Sequence, residues 1–148
     1  FWVGRADTQV DGVTFIGLSL TGEREDSNPQ WGKQGVYIRR ATNTAFIGCK
    51  FKKVGDAAIR LAASLSSHTV EGALESRTDG VQLIGCVFED CTQVTTNNTG
   101  AQSVIFSGCV LRRIGSVKFT QRNLVKGKPS LLIGCLFDDV SKNYRGTG

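Results

Sequence analysis

The sequence Val81-Gln82-Leu83-Ile84-Gly85-Cys86-Val87-Phe88 decides the fold, because the chain contains four related versions of it. Those versions are centred on glycines of their own, which are Gly17, Gly48, Gly108 and Gly134. Successive glycines lie 31, 37, 23 and 26 residues apart. A motif that recurs at intervals of about 20 to 50 residues is the signature of a repeat protein. The chain is therefore interpreted as one stacked-repeat domain over residues 1–148.

Apolar residues alternate around each glycine, which is the pattern of short β-strands. The same side-chain types recur two positions before the glycine and three positions after it: Phe15, Phe46, Leu83, Phe106 and Leu132, then Leu20, Phe51, Phe88, Leu111 and Phe137. Such residues would form core columns whose members are one strand spacing, about 4.8 Å, apart. The repeats are not separated by amphipathic helix patterns, and a β-sandwich would not carry five copies in register.

The chain is accordingly predicted to be all-β, with the fold of a right-handed parallel β-helix. This is a single-stranded solenoid in which each coil carries two or three short strands. The repeats predict about four to five coils, with the longer intervals carrying loops inserted at a corner. The lack of an obvious cap at either end predicts a fragment of a longer helix.

The five cysteines all occupy repeat positions that elsewhere hold apolar residues. Four of them follow the repeat glycine directly, at 49, 86, 109 and 135, and Cys91 shares a column with Val54 and Ile114. A reduced cysteine packs as a small hydrophobic side chain, so buried thiols are predicted. Zinc is disfavoured, because the chain has one histidine, His68, and no close Cys-x-x-Cys pair. Neither a metal nor a cofactor is predicted.

A second strand in each repeat carries basic residues at its outward positions. If Val36 and Ile38 point inward, Tyr37 and Arg39 point outward. The same alternation turns Arg60 and Lys118 outward in later repeats, and Thr95 is expected between them. These residues would form one basic outer face.

Three long loops leave the repeats close to this face, at residues 21–34, 62–79 and 121–129, and Trp31 lies in the first of them. Loops of more than about 12 residues usually have a function. Walls beside a flat basic face make a groove, in which guanidinium groups would pair with carboxylates and aromatic rings would stack on sugars. Arg39, Tyr37 and Trp31 are the predicted substrate-binding residues.

The net charge of +5 and the pI of about 9.1 favour an acidic partner. The predicted partner is an anionic polysaccharide. The chain carries no recognisable nucleic-acid-binding motif, and it has no apolar run of the roughly 20 residues that a membrane span needs.

The glycine repeats, together with Gly55-Asp56-Ala57-Ala58-Ile59-Arg60-Leu61, resemble the pectate-lyase-like superfamily of right-handed β-helices. That superfamily contains polysaccharide lyases, glycoside hydrolases, epimerases and phage tailspikes. In its lyases, an Arg or Lys on this outer face takes the proton beside a uronate carboxylate, and a cation neutralises that carboxylate. The resemblance thus implies catalytic roles for Arg60 and Lys118, and an extracellular, cell-surface or virion location.

Other chemistry of the superfamily fits the residues less well. Its hydrolases carry an Asp-Asp pair after a glycine of this sheet, whereas here Ala57 follows Asp56. A calcium site needs clustered oxygen ligands, and only Asp56 and Asp79 are candidates near the basic face.

Two functional hypotheses follow. The first is a carbohydrate-active module that binds an anionic polysaccharide and, if it is an enzyme, cleaves it by β-elimination. The second is a non-catalytic structural β-helix of a phage tailspike or surface adhesin, an arrangement that would allow a homotrimer. A walled groove around Arg60 or Lys118 would favour the first hypothesis, and a flat open face would favour the second.

Overall fold

The computed structural model describes residues 1–4, 9–23, 33–62, 78–97, 101–117 and 130–140. These residues are all-β, and their strands are, in chain order, β1 (Trp2–Val3), β2 (Val10–Asp11), β3 (Thr14–Ile16), β4 (Ser19–Thr21), β5 (Val36–Arg39), β6 (Ala41–Thr42), β7 (Ala45–Ile47), β8 (Lys50–Lys52), β9 (Ala57–Ala62), β10 (Thr78–Asp79), β11 (Gln82–Ile84), β12 (Val87–Glu89), β13 (Gln93–Asn97), β14 (Ala101–Gln102), β15 (Ile105–Ser107), β16 (Val110–Ile114), β17 (Leu131–Ile133) and β18 (Leu136–Val140). Within these ranges, no helix is long and apolar enough to cross a lipid bilayer.

The strands form four sheets in which every pairing is parallel. We name them sheet A (β1-β5-β9-β13), sheet B (β2-β6-β10-β14), sheet C (β3-β7-β11-β15-β17) and sheet D (β4-β8-β12-β16-β18). From β2 to β16 the chain visits sheets B, C, D and A in turn and then returns to B, and the last two described strands, β17 and β18, extend sheets C and D. Each strand therefore pairs with its equivalent in the next repeat, an architecture compatible with the expected β-solenoid.

The core columns form as the repeat predicts. Phe46 pairs with Leu83 across sheet C and Phe51 with Phe88 across sheet D, and all four side chains are fully buried. The rings of Phe51 and Phe88 stack with their centroids 5.1 Å apart. Like side chains on successive strands thus fill the interior, and burial of this apolar surface drives folding.

The corner between sheets C and D is turned by the repeat glycine. Gly17, Gly48, Gly85, Gly108 and Gly134 all have φ between 58° and 65°. No heavy atom lies within 4 Å of the position that a Cβ would take at these glycines, so their neighbours leave room for a side chain. The left-handed backbone is what selects glycine here, because an L-residue with a side chain is strained in that conformation.

The buried-thiol prediction is confirmed for four cysteines, Cys49, Cys86, Cys91 and Cys109, while Cys135 in the last described repeat is half-buried. Each buried thiol donates to a backbone carbonyl of the preceding repeat, for example Cys86 Sγ to Phe46 O at 3.3 Å. A hydrogen bond with Cys109 and burial together raise the pKa of Cys86. These thiols are therefore structural groups that pack in the core.

Charged residues alternate in sign down the edge of sheet D. The pairs that follow one another from repeat to repeat are Lys52-Lys53, Glu89-Asp90, Arg112-Arg113 and Asp138-Asp139. We call this set the corner charge ladder. In its first column, Lys52 Nζ lies 3.5 Å from Glu89 Oε2 and Arg112 Nε lies 2.9 Å from Asp138 Oδ2. Successive repeats thus meet with opposite charges.

The second column of the ladder is linked through Arg113. Its guanidinium donates to Asp90 through Nε at 2.6 Å and also to the carboxylate of Glu89. These hydrogen bonds hold the pKa values of Glu89 and Asp90 below their ordinary range, and Asp90 and Glu89 in turn raise the pKa of Arg113. All three groups are consequently charged at neutral pH.

Candidate functional site

Tyr37 and Arg60 lie side by side on the outer face of sheet A. They are register partners on β5 and β9, between inward-facing neighbours that are fully buried. The Arg60 guanidinium carbon lies 5.7 Å from the centroid of the Tyr37 ring, within the range of a cation–π interaction. The structure therefore brings together two of the residues that the sequence predicts for the site.

Trp2 extends this pair by one strand. It is the register partner of Tyr37 on β1, and the two rings stack with centroids 4.7 Å apart and planes 20° from parallel. Trp2 is 71% exposed. Sequence reasoning missed it, although Trp2-Val3 repeats the outward-aromatic, inward-aliphatic order of Tyr37-Ile38. We call Trp2, Tyr37 and Arg60 the aromatic–arginine row.

Asp56 fixes the other side of the Arg60 guanidinium. Its Oδ2 lies 3.8 Å from Arg60 Nη1, and its side chain is only 3% exposed, whereas that of Arg60 is 27% exposed. The same oxygen accepts a hydrogen bond of 2.8 Å from Gln34 Nε2. The buried carboxylate and the Tyr37 ring therefore flank the Arg60 guanidinium, which stays partly exposed to solvent.

The row offers a ligand different surfaces from those that the sequence suggested. One face of the Tyr37 ring is covered by Trp2 and the other by Arg60. A sugar therefore cannot stack on Tyr37. The contribution of Tyr37 would come from its hydroxyl group and from its ring, which supports the Arg60 guanidinium. The ring available for stacking is that of Trp2.

Arg39 provides a second cation on the same face. It lies two residues beyond Tyr37 on β5, opposite Ala62. Two residues along a strand and one strand across place its Cα about 8 Å from that of Arg60. The Nε atoms of Arg39 and Arg60 make no hydrogen bond to the part of the chain that the structure describes. Both Nε atoms are themselves buried, so a ligand at the row would meet the terminal nitrogens of the guanidinium groups.

The prediction that Thr95 belongs to the basic outer face is wrong. Thr95 is buried at 1% exposure, because it is the register partner of the inward-facing Ile59. The partner of Arg60 on β13 is Thr96. Gln93, Val94 and Thr95 are all buried, so the inward position of Val94 does not place Thr95 outside, which is the physical reason for the error.

Two predicted site residues, Lys118 and Trp31, lie outside the described residues, as do His68 and most of the three loops. The two candidate calcium ligands do not lie on the same sheet, since Asp56 precedes β9 of sheet A and Asp79 is in β10 of sheet B. Within the described ranges, no three His, Cys, Asp or Glu side chains cluster as metal ligands would.

Two clefts open near the ends of the sheets. One, of about 430 Å³, is lined by residues that include Phe1, Lys33 and Gln34, and it reaches the row through the Gln34–Asp56 hydrogen bond. The other, of about 610 Å³, lies at sheet B and includes Asp11 and Asp79. Hydrogen bonds from Thr42 and Asn43 lower the pKa of Asp11, so that cleft is anionic and does not suit an acidic ligand.

No protein-family model matches the chain, and no curated protein matches it either. Function is therefore inferred from the fold and from the geometry of the row.

Proposed function

We propose that this chain is a right-handed parallel β-helix of four to five coils, of the pectate-lyase-like kind, that binds an anionic polysaccharide along the outer face of sheet A. One observation supports this most directly: the Arg60 guanidinium is held on an outer sheet face between an aromatic ring and a buried carboxylate. An extracellular, cell-surface or virion location belongs to the same proposal.

Binding would use the edge of the Arg60 guanidinium. A carboxylate accepts two parallel hydrogen bonds from an arginine, and such pairs are stronger and more specific than those of lysine. Tyr37 and Asp56 limit the positions that the guanidinium can take, so less side-chain entropy is lost when a ligand binds. Arg39 would bind a second carboxylate, and the exposed Trp2 ring would stack on a sugar.

If the chain is catalytic, the reaction would be β-elimination. A base removes the proton on the carbon beside the uronate carboxylate, the electrons form a carbon–carbon double bond, and the glycosidic oxygen leaves with the other part of the chain. An arginine side chain keeps its positive charge in proteins, so Arg60 suits neutralisation of the uronate carboxylate better than proton removal. Lys118 is the residue proposed as the base.

The second candidate function is that of a non-catalytic structural β-helix in a tailspike or adhesin. The corner charge ladder favours it, because alternating charges and buried thiols specify a regular stack without serving any ligand. A homotrimer remains a prediction of this candidate.

The test is a titration of the chain with polygalacturonate, alginate, heparin and hyaluronan by affinity electrophoresis and calorimetry, with absorbance monitored for unsaturated uronate. Arg60→Ala should weaken binding about tenfold or more, since it removes a charge-assisted bidentate contact. Arg112→Ala is the matched control, because Arg112 is also ion-paired but lies on the outer face of sheet D. Equal loss in both variants would indicate non-specific charge attraction.

Two variants of Tyr37 test whether its side chain acts by supporting the Arg60 guanidinium or by contacting the polysaccharide directly. Tyr37→Phe keeps the ring under the guanidinium, whereas Tyr37→Leu removes it. We expect Tyr37→Leu to weaken binding about two- to fivefold and Tyr37→Phe to weaken it less. If no polysaccharide binds the unmodified chain, the structural candidate replaces the proposal; absorbance that depends on Lys118 would establish a lyase.

A further inference from the structure

Cys109 and Cys135 are stacked on each other in successive repeats, at the corner between sheets C and D. They lie between two strand pairs that are in register, β15 with β17 and β16 with β18. The glycines that precede them, Gly108 and Gly134, have almost the same φ, 61° and 58°. The same backbone conformation directs both Cα–Cβ bonds the same way, so the two side chains are near copies of each other one strand apart.

The sulfur atoms of this pair also take equivalent positions. Cys109 Sγ lies 3.7 Å from Ser107 O, and Cys135 Sγ lies 3.6 Å from Ile133 O, which is again the carbonyl two residues before the cysteine. Equivalent positions on neighbouring strands are about 4.8 Å apart. The two thiols are close enough to interact through a hydrogen bond. Two sulfurs of similar orientation therefore border one gap between the strands.

The width of this gap suits a metal ion held in line between two thiolates. With metal–sulfur bonds of about 2.3 Å, the length found with zinc, the sulfurs of such a site are about 4.6 Å apart. Soft ions such as Cu(I) prefer thiolate ligands, and monovalent ones accept two ligands in a straight line. Zinc needs four ligands in a tetrahedron. A disulfide bond of about 2.05 Å would require the side chains to leave these positions.

We propose that Cys109 and Cys135 bind one soft monovalent metal ion, of the Cu(I) class, between their sulfur atoms. Each thiol releases its proton to solvent when the ion binds, so two thiolates hold one positive ion and one negative charge remains. Because protons compete with the ion for the sulfurs, affinity should rise with pH.

The burial of the cysteines selects this pair among those of the column. Cys49, Cys86 and Cys109 are fully buried, so an ion between any two of them would leave its remaining charge in the dry core, at a large cost in free energy. Cys135 is only half-buried. It gives the ion a way in and keeps the charge close to water.

The test is a titration of the reduced 148-residue chain with Cu(I), without oxygen, against a chelator of known affinity. One ion should bind per chain, and X-ray absorption should show two sulfur ligands. Binding should raise Tm, because the aligned pair exists only in the folded stack. Cys135→Ala should weaken binding about a hundredfold or more, since loss of a ligand costs at least as much as loss of a supporting contact.

Cys91→Ala is the matched control, because Cys91 is a buried cysteine that lies in the column of Val54 and Ile114. It should bind Cu(I) like the unmodified chain, and circular dichroism without metal should show that both variants fold. Failure to hold Cu(I) against the chelator, three sulfur ligands, unchanged affinity in Cys135→Ala, equal weakening in Cys91→Ala, or a fall in Tm on adding Cu(I) would each overturn the proposal.

Discussion

Arg113 and Asp90, in successive repeats, share two hydrogen bonds, with Arg113 Nε donating to Oδ1 at 2.6 Å and Nη2 donating to Oδ2 at 3.0 Å. This paired geometry is the strongest form of an arginine–carboxylate contact. It joins two repeats at the corner between sheets D and A, where each of the two residues also has a left-handed backbone. The contact thus links the repeats at a point where the chain turns.

Reversing the charge of Arg113 should destabilise the stack. In Arg113→Asp, the new carboxylate faces Asp90 and Glu89, and repulsion replaces attraction. We expect Tm to fall by only a few degrees, because ion pairs exposed to solvent contribute little each. The double variant Arg113→Asp with Asp90→Arg should recover part of the loss. Melting by circular dichroism at low and high salt checks this, since high salt should shrink the difference.

The same contacts predict a dependence of stability on pH. Arg113 lowers the folded-state pKa of Glu89 and of Asp90, so the unfolded chain binds protons more readily than the folded one. Their stabilising contribution is therefore complete above about pH 4.5 and is lost as pH falls through the lowered folded values. Urea unfolding between neutral pH and pH 3 should show this decline. Arg113→Ala should flatten it, and an unchanged slope in that variant would contradict the assignment.

The thiols should react unequally in the folded protein. Cys135 is half-buried, whereas the other four cysteines are fully buried. The hydrogen bond between Cys86 and Cys109 raises the pKa of Cys86 and lowers the pKa of Cys109, but burial keeps both thiols from a reagent in solution. A disulfide reagent at mild alkaline pH should therefore label one cysteine quickly and four slowly. Cys135→Ser should remove the fast phase, and denaturant should make all five reactive. Rapid labelling of Cys86 would show that the core is more open than described.

Glycine substitutions should separate backbone strain from crowding. Gly85 has φ +59° and open space around a Cβ, so Gly85→Ala should cost about 1–2 kcal/mol through strain alone. Gly85→Asn should cost less, since asparagine tolerates this conformation. At Gly22 a Cβ would lie 2.5 Å from the Lys53 carbonyl oxygen, so Gly22→Ala should be worse because backbone must move. Chemical denaturation gives all three values.

The position of a repeat in the stack should determine how much free energy of unfolding a core substitution removes. Phe88 and Phe137 occupy the same column of sheet D, but Phe88 is fully buried and Phe137 is 47% exposed. Phe88→Ala should cost about 3–5 kcal/mol, from lost burial and the cavity left behind. Phe137→Ala should cost clearly less. Equal losses would mean that the last repeat is covered in solution.

The sequence predicts the all-β stack of parallel strands well, because the repeat is a strong physical constraint. Columns such as that of Phe46, Leu83 and Phe106 can be aligned from their glycines, and each column must share one environment when strands stack in register. Sheet A is less predictable at β13, because no glycine precedes that strand to fix its register. The error at Thr95 arose there, where Gln93, Val94 and Thr95 are all buried and simple alternation fails.

The site could be predicted only in part, because its geometry depends on residues far apart in the chain. Alternation places Tyr37 and Arg60 on one face, but it does not show that Trp2 stacks on Tyr37 or that Asp56 holds Arg60. The corner charge ladder was not predicted, although the alignment of the repeats on their glycines contains it. Four and five residues after successive glycines stand two basic, two acidic, two basic and two acidic residues.

The alternation of charge in the corner charge ladder restricts how many repeats can be added or removed together. If the repeat that ends in Glu89-Asp90 were deleted, Lys52-Lys53 would meet Arg112-Arg113, and cation would stack on cation. Deleting two consecutive repeats would instead restore opposite neighbours, with Lys52-Lys53 against Asp138-Asp139. Duplicating one repeat would likewise stack like charges, whereas duplicating two consecutive repeats would keep opposite charges adjacent. The corner therefore favours the gain or loss of repeats in pairs, because only a paired change keeps opposite charges next to each other.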